Sequence, residues 1–126
     1  MNRSALAEGS NQVVSRNDPT WHGEMEAIRN ACKVLQRPHL EGYVLYSSAE
    51  PCPMCLGACL WARLGVVYYG ASYSDVKAYG GFNDEDYMAE MKKEPRQRKI
   101  PCHQILREEA VKVWEEYRRL PHRVVY

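Results

Sequence analysis

The sequence lacks a long hydrophobic run, an excess of one charge and any internal repeat. Its longest stretch without a charged or strongly polar side chain is twelve residues, 51–62, whereas a membrane-spanning helix needs about 20. No apolar segment typical of a secretory signal follows Met1. With 17 Lys+Arg against 16 Asp+Glu, the basic excess of proteins that mainly bind phosphate backbones is missing. We therefore expect a single soluble domain over residues 1–126, located in the cytoplasm, without a membrane or nucleic-acid partner.

The cysteines are odd in number and do not form the even set typical of a disulfide framework. Two of the five, Cys52 and Cys55, form a Cys-x-x-Cys pair, and Pro53 between them predicts a helix start. The partial positive charge at a helix N-terminus lowers the pKa of thiols and favours thiolates. In a reducing compartment the pair indicates either a zinc site or a redox dithiol. Cys32 and Cys59 are predicted to pack in the core.

Predicted strands alternate with predicted helices, which favours βαβ units and a mostly parallel sheet. The segment 18–20, Asp-Pro-Thr, starts a helix that Pro38 ends. Ligands in such folds bind at the carboxyl ends of the strands, where strand meets helix. We predict strands at 6–14, 43–48, 66–70 and 100–106, and helices from 20 to 37 and at 53–63, 86–93 and 107–120.

His22, Gly23 and Glu24 lie at the start of the first long predicted helix. On a helical wheel Glu24 falls within the apolar stripe, whereas Glu26 falls on the charged face. A carboxylate that points into a core is costly unless it is paired or takes up a proton. Glu24 therefore indicates either a general acid/base or a first-turn glutamate that reaches solvent.

The ordered set His-x-Glu and, about 27 residues on, Pro-Cys-x-x-Cys resembles the zinc signature of the cytidine-deaminase-like superfamily. Within that superfamily the chain resembles the bacterial guanine deaminase branch over residues 6–126. Beyond the zinc motif, the matching segments are Asn11, Asp18-Pro19-Thr20, Ala27-Ile28-Arg29, Trp61-Ala62-Arg63, Gly81-Phe82-Asn83-Asp84, Arg98-Lys99-Ile100-Pro101 and Tyr126.

The resemblance implies an α/β three-layer sandwich, with a mixed, mostly parallel sheet and helices on both faces. It implies that His22, Cys52 and Cys55 hold Zn²⁺. It also implies hydrolysis of a purine base, guanine to xanthine and ammonia, by zinc-bound hydroxide with Glu24 as the proton shuttle. Tyr126 is implied to close the active site of a partner subunit in a homodimer that exchanges its C-terminal segments. The expected substrate contacts are Asn11, Gly23, Trp61, Asp84 and Tyr126.

The chain departs from the family pattern at its N-terminus, where the usual first helix and first strand are missing. Because that strand lies inside the family's sheet, we expect unpaired backbone groups and a weakened wall of the base pocket. Asn83 replaces an expected aspartate, and Trp21 stands where a small residue is more usual.

Three alternatives stay open at this point. The same zinc motif serves deaminases of cytosine, guanosine and tRNA adenosine, although the basic residues at 92–99 lack interleaved aromatics. A truncated, non-catalytic zinc-binding domain would hold metal without using Glu24. A thiol-disulfide oxidoreductase would use Cys52 and Cys55 and leave His22 and Glu24 without a role.

Overall fold

The structure, a computed structural model, describes residues 4–126 and has an α/β fold. It contains two compact units, one that ends at Met88 and one that spans Ala89–Tyr126. None of the helices within residues 4–126 is long and apolar enough to cross a bilayer. In chain order the elements are α1 (Val13–Arg16), α2 (Gly23–Leu35), β1 (Val44–Ala49), α3 (Pro53–Trp61), β2 (Val66–Ala71), α4 (Tyr73–Gly80), α5 (Asp84–Met91), a 3₁₀ turn (Pro95–Gln97) and α6 (Arg107–Arg119).

The sheet of the described residues consists of β1 and β2, which pair in parallel. The register runs from Val44 opposite Val66 to Ala49 opposite Ala71. Two parallel neighbours need a crossover, and α3 supplies it. The predicted βαβ unit is therefore confirmed, and the carboxyl end of β1 leads directly into α3.

The core forms around Ala31, Leu40 and Ala62, which are all buried. The backbone N–H of Leu40 donates to the carbonyl of Ala62 at 2.6 Å, which joins the segment before β1 to the end of α3. The predicted apolar stripe of α2 packs against this core, and so does Cys32. The partly buried residues around it are Ala7, Ile28, Cys32, Leu35, Tyr43 and Leu64.

The N-terminal ends of α2 and α3 carry the predicted zinc ligands His22 and Cys52. His22 is the N-cap of α2 and Cys52 is the N-cap of α3, both with extended backbone, and Pro53 takes the first helical position of α3. At its other end α2 ends on Gln36, which has a left-handed φ of 52°. Since α2 and α3 contact each other, their N-terminal residues can meet.

The strand predicted at 6–14 is wrong. Val13 and Val14 are β-branched and favour strands, but they belong to α1, where the side chain of Asn11 accepts the N–H of Val13 at 3.0 Å. Residues 4–12 form no helix or strand. The helix α1 ends on Asn17, which has a left-handed φ of 51°.

The strand predicted at 100–106 is also wrong, because no second strand pairs with it in the described chain. Pro101 has no N–H to donate, and Leu106 has a left-handed φ of 50°. The helix predicted at 107–120 is confirmed as α6, with Glu108 and Glu109 in its first turn and arginines in its last. The helix α4 was not predicted.

Candidate zinc site

Three side chains meet where the N-termini of α2 and α3 lie side by side. The ring Nδ1 of His22 is 3.6 Å from Sγ of Cys52 and 3.5 Å from Sγ of Cys55. The three ligand atoms lie within 4.8 Å of one another, and both cysteines are buried. Within residues 4–126, this is the group of His, Cys, Asp and Glu side chains that could hold a metal ion.

The distances fit tetrahedral zinc. With Zn–S near 2.3 Å and Zn–N near 2.05 Å, a tetrahedral centre separates sulfur from nitrogen by about 3.6 Å. The two measured S···N separations, 3.5 and 3.6 Å, match that value. Two thiolates and an imidazole also form the donor set of a catalytic zinc site with one open position.

The two thiols differ in acidity. The pKa of Cys52 is lowered to about 6, mainly because Cys55 donates a hydrogen bond to it, with further help from backbone N–H groups at the start of α3 and from His22. The same hydrogen bond and burial raise the pKa of Cys55. Backbone N–H groups at the start of α3 thus contribute to the lowered pKa of Cys52, whereas the pKa of Cys55 at the same helix start moves the other way.

The carboxylate of Glu24 lies beside these ligands. Its Oε1 accepts a hydrogen bond from the hydroxyl of Ser47 at 3.2 Å, and its Oε2 lies 3.7 Å from Sγ of Cys55. Ser47 is not among the site residues predicted from the sequence. Its signal is the alternation of β1, which places Ser47 on the half-buried face with Leu45 and Ala49.

Gly23, at the start of α2, lies against the backbone of the loop that carries Asn11. A Cβ on Gly23 would lie 3.2 Å from the carbonyl oxygen of Gly9, which explains a glycine at the first position of α2. Oδ1 of Asn11 accepts from the N–H of Val13. That bond orients the amide so that Nδ2 is the group able to donate to a ligand.

Tyr73 supports the loop that leads to Cys52. Its hydroxyl donates to the carbonyl of Pro51, and its backbone N–H donates to Oε1 of Glu50 at 3.3 Å. Burial, followed by the charges of Glu50 and Cys52, raises the pKa of Tyr73 to about 12, and Asp84 adds to the effect. Asp84 itself is the first residue of α5. Tyr73 was not singled out from the sequence.

The other two expected substrate residues, Trp61 and Tyr126, are both exposed. Trp61 is the last residue of α3 and is 70% exposed. It is about 13 Å along the helix axis from Cys52. Tyr126 belongs to the unit that spans Ala89–Tyr126 and is exposed.

Trp21, which precedes His22, is half-buried and contacts two arginines. The guanidinium of Arg16 lies 4.5 Å from the indole centroid, and that of Arg29 lies 5.7 Å from it. These cation–π contacts join α1 to α2 immediately before the histidine.

The segment that carries the three ligands matches a known protein family. The model of the cytidine and deoxycytidylate deaminase zinc-binding region matches residues 1–71. This match includes His22, Glu24 and both cysteines of the Cys-x-x-Cys pair.

Known proteins resemble the chain over different lengths. It is 43% identical over 121 residues to guanine deaminase from Bacillus subtilis (strain 168), covering 96% of this chain and 77% of that protein. A solved structure of guanine deaminase from Bacillus subtilis superimposes with a TM-score of 0.92 at 42% identity, covering 99% of this chain and 79% of that chain. A tRNA-specific adenosine deaminase from Buchnera aphidicola subsp. Baizongia pistaciae (strain Bp) is 36% identical over 78 residues, 62% of this chain and 48% of that protein. The chain thus spans about half the length of the tRNA-specific relative. The structural match to guanine deaminase confirms the predicted fold class.

Proposed function

The chain belongs to the cytidine and deoxycytidylate deaminase family and is a zinc-dependent deaminase of nucleobases or nucleosides, and we propose that its substrate is free guanine. Water would replace the 2-amino group, so that guanine and water give xanthine and ammonia. The observation that carries the proposal is the similarity to guanine deaminase across 96% of the chain. The similarity to the tRNA-specific deaminase covers 62%.

His22, Cys52 and Cys55 would hold the zinc ion, since their spacing fits a tetrahedral centre. When bound, zinc supplies Lewis acidity and lowers the pKa of a coordinated water.

Glu24 would move the proton. Ser47 holds Oε1 of Glu24, and Oε2 faces Cys55, so the carboxylate has one fixed oxygen and one directed at the ligand group. Oε2 would take a proton from the attacking water and pass it to a ring nitrogen, then to the amine that leaves. Ser47 acts as a positioning residue, because it fixes which oxygen does this.

Asn11 would bind the base. With Oδ1 occupied by the N–H of Val13, Nδ2 is free to donate to an acceptor such as O6 or N7 of guanine. Asp84 would accept from an N–H of the base, which the similarity to guanine deaminase supports.

We further propose a homodimer in which Tyr126 closes the partner's active site. The unit that would be exchanged carries large apolar side chains in exposed positions, including Trp114 at 68%. Covering such side chains is a common reason for association.

Ammonia release from the zinc-loaded full chain tests the reaction and the substrate together. The protein is offered guanine, guanosine, adenine and cytosine, with Glu24→Gln beside the wild type and Glu41→Gln as a matched control. Glu41 is exposed and pairs with Arg63 away from the zinc ligands.

We expect ammonia from guanine, a loss on the order of 10³-fold in Glu24→Gln with zinc content unchanged, and no loss in Glu41→Gln. Ammonia from another base alone would contradict the guanine proposal. A zinc-loaded protein silent on every base would contradict the catalytic role and favour a structural zinc domain.

A further inference from the structure

Glu26, which the helical wheel places on the charged face of α2, contacts the loop 8–12 that carries Asn11. Its Oε2 accepts the backbone N–H of Ser10 at 2.7 Å, and its Oε1 accepts Nε2 of Gln12 at 2.9 Å. Ser10 and Gln12 are the neighbours of Asn11 on each side. The N–H of Ser10 lowers the pKa of the Glu26 carboxyl below its usual value, so the group is ionised near neutral pH.

The loop lies against α2 with little room to move. A Cβ on Gly9 would lie 2.2 Å from the carbonyl oxygen of Gly23 and 2.5 Å from the backbone nitrogen of Ala27. Further back in the same loop, Nδ2 of Asn30 donates to the carbonyl of Glu8 at 3.0 Å. The contact is therefore backbone against backbone, one residue from Glu24.

Gln12 makes two further hydrogen bonds. Its Oε1 accepts Nε of Arg16 at 2.7 Å, and its backbone N–H donates to the carbonyl of Trp21 at 3.0 Å. The side chains of Arg16, Gln12 and Glu26 thus form a continuous chain of hydrogen bonds.

We propose that Glu26 is a positioning residue for the deamination: it fixes the loop that carries Asn11 against the helix that carries Glu24. This inference rests on the proposed role of Asn11. Glu26 faces two donors with two acceptor oxygens, which a carboxylate provides. A glutamine at this position would direct an NH₂ group at Ser10 N–H or at the amide of Gln12, and an aspartate would be one methylene too short.

Steady-state kinetics of the zinc-loaded full chain on guanine test the proposal with Glu26→Gln, and Glu41→Gln serves as the control. We expect KM to rise about tenfold in Glu26→Gln while kcat changes by less than about threefold, because Asn11 binds the base and does not take part in proton transfer. Zinc content should equal that of the wild type.

A polarity swap and a double variant make the test specific. In Gln12→Glu with Glu26→Gln, the amide at 26 can accept from Ser10 and donate to a carboxylate at 12, so KM should return to within about twofold of the wild type. In an Asn11→Ala background, Glu26→Gln should raise KM no further, because the positioned side chain is already gone. Exchange of the Ser10 amide hydrogen should be faster in Glu26→Gln than in Glu41→Gln.

The proposal is overturned if Glu26→Gln leaves KM unchanged, if its effect multiplies with that of Asn11→Ala, or if Ser10 exchange does not change. A wild type that releases ammonia from another base only would refute guanine as the substrate. The comparison of the Glu26 variants is then made on that base, so the two proposals fail separately.

Discussion

Cys55 and Cys59 lie one turn apart on α3, and only the first faces His22. Cys55 is 0% exposed and has Sγ 3.5 Å from Nδ1 of His22. Cys59 is 4% exposed, and burial, followed by the charge of Glu24, raises its pKa. Cys59 is therefore a core thiol and forms a natural control for Cys55.

Cys55→Ala should lose zinc, and Cys59→Ala should keep it. The first substitution removes one of the three protein ligands, so we expect zinc to fall from about one ion per chain to a small fraction. The second leaves a small cavity and should lower the free energy of unfolding by about 1 kcal/mol. Metal analysis of the purified proteins checks the first expectation, and urea unfolding checks the second. Stoichiometric zinc in Cys55→Ala would contradict the ligand assignment.

The sequence predicts the zinc-binding residues better than it predicts the residues that hold the neighbouring loops in place. His22 and Cys52 are set by helix starts, and helix starts have local signals such as Pro53. Glu26 and Tyr73 act through segments distant in sequence, the loop 8–12 and the loop before Cys52. The periodicity of one helix does not reveal which loop will cover its polar face.

The helix α4 begins with a capping box that has a pH dependence of its own. Ser72 Oγ accepts the N–H of Asp75 at 3.2 Å, and Oδ2 of Asp75 accepts the N–H and the hydroxyl of Ser72, each at 2.9 Å. These two donors lower the pKa of Asp75 from its ordinary value of 3.8. The stabilisation is complete above about pH 4 and disappears as the pH falls through the folded-state value.

Asp75→Asn should lower the unfolding midpoint at pH 6, and the difference from the wild type should shrink as the pH falls below 3.8. Ser72→Ala, which removes the other half of the box, should cost about 1 kcal/mol and remain destabilising at both pH values. Urea unfolding followed by circular dichroism at pH 6 and pH 3.5 measures both. A difference for Asp75→Asn that is constant with pH would contradict this account.

The elements recovered from sequence are those with clear start and stop residues. The predictions of α2, α3 and α6, and of both paired strands, are confirmed to within a few residues. The helix α4 was missed although Ser72 and Asp75 form a capping box, because the pair Gly80-Gly81 at its end favours a loop. The two wrong strands, 6–14 and 100–106, contain β-branched residues but find no backbone partner, and a strand is stable only within a sheet.

At the scale of the whole molecule, the proposed exchange of C-terminal segments has a direct test. Glu24 and Tyr126 would then belong to one site but to different chains. A heterodimer of Glu24→Gln with Tyr126→Ala would contain one site that carries both original residues.

We expect each variant alone to release ammonia from guanine slowly, and the co-expressed pair to regain about a quarter of the wild-type rate. Half of the dimers would be mixed, and each mixed dimer would hold one intact site out of two. Sedimentation analysis of the same samples verifies that dimers are present. A pair that regains no activity would contradict the exchange, since residues that act within one chain cannot complement each other.

The position of Trp21 allows its fluorescence to report on the metal site. Of its three tryptophans, Trp61 and Trp114 are open to solvent, whereas Trp21 is half-buried with Arg16 of α1 and Arg29 of α2 near its ring. A soluble quencher should therefore reduce the fluorescence of exposed Trp61 more than that of half-buried Trp21. Trp21 directly precedes the metal-binding His22 in the chain, so metal uptake is expected to change the wavelength and intensity of its emission in the unlabelled protein.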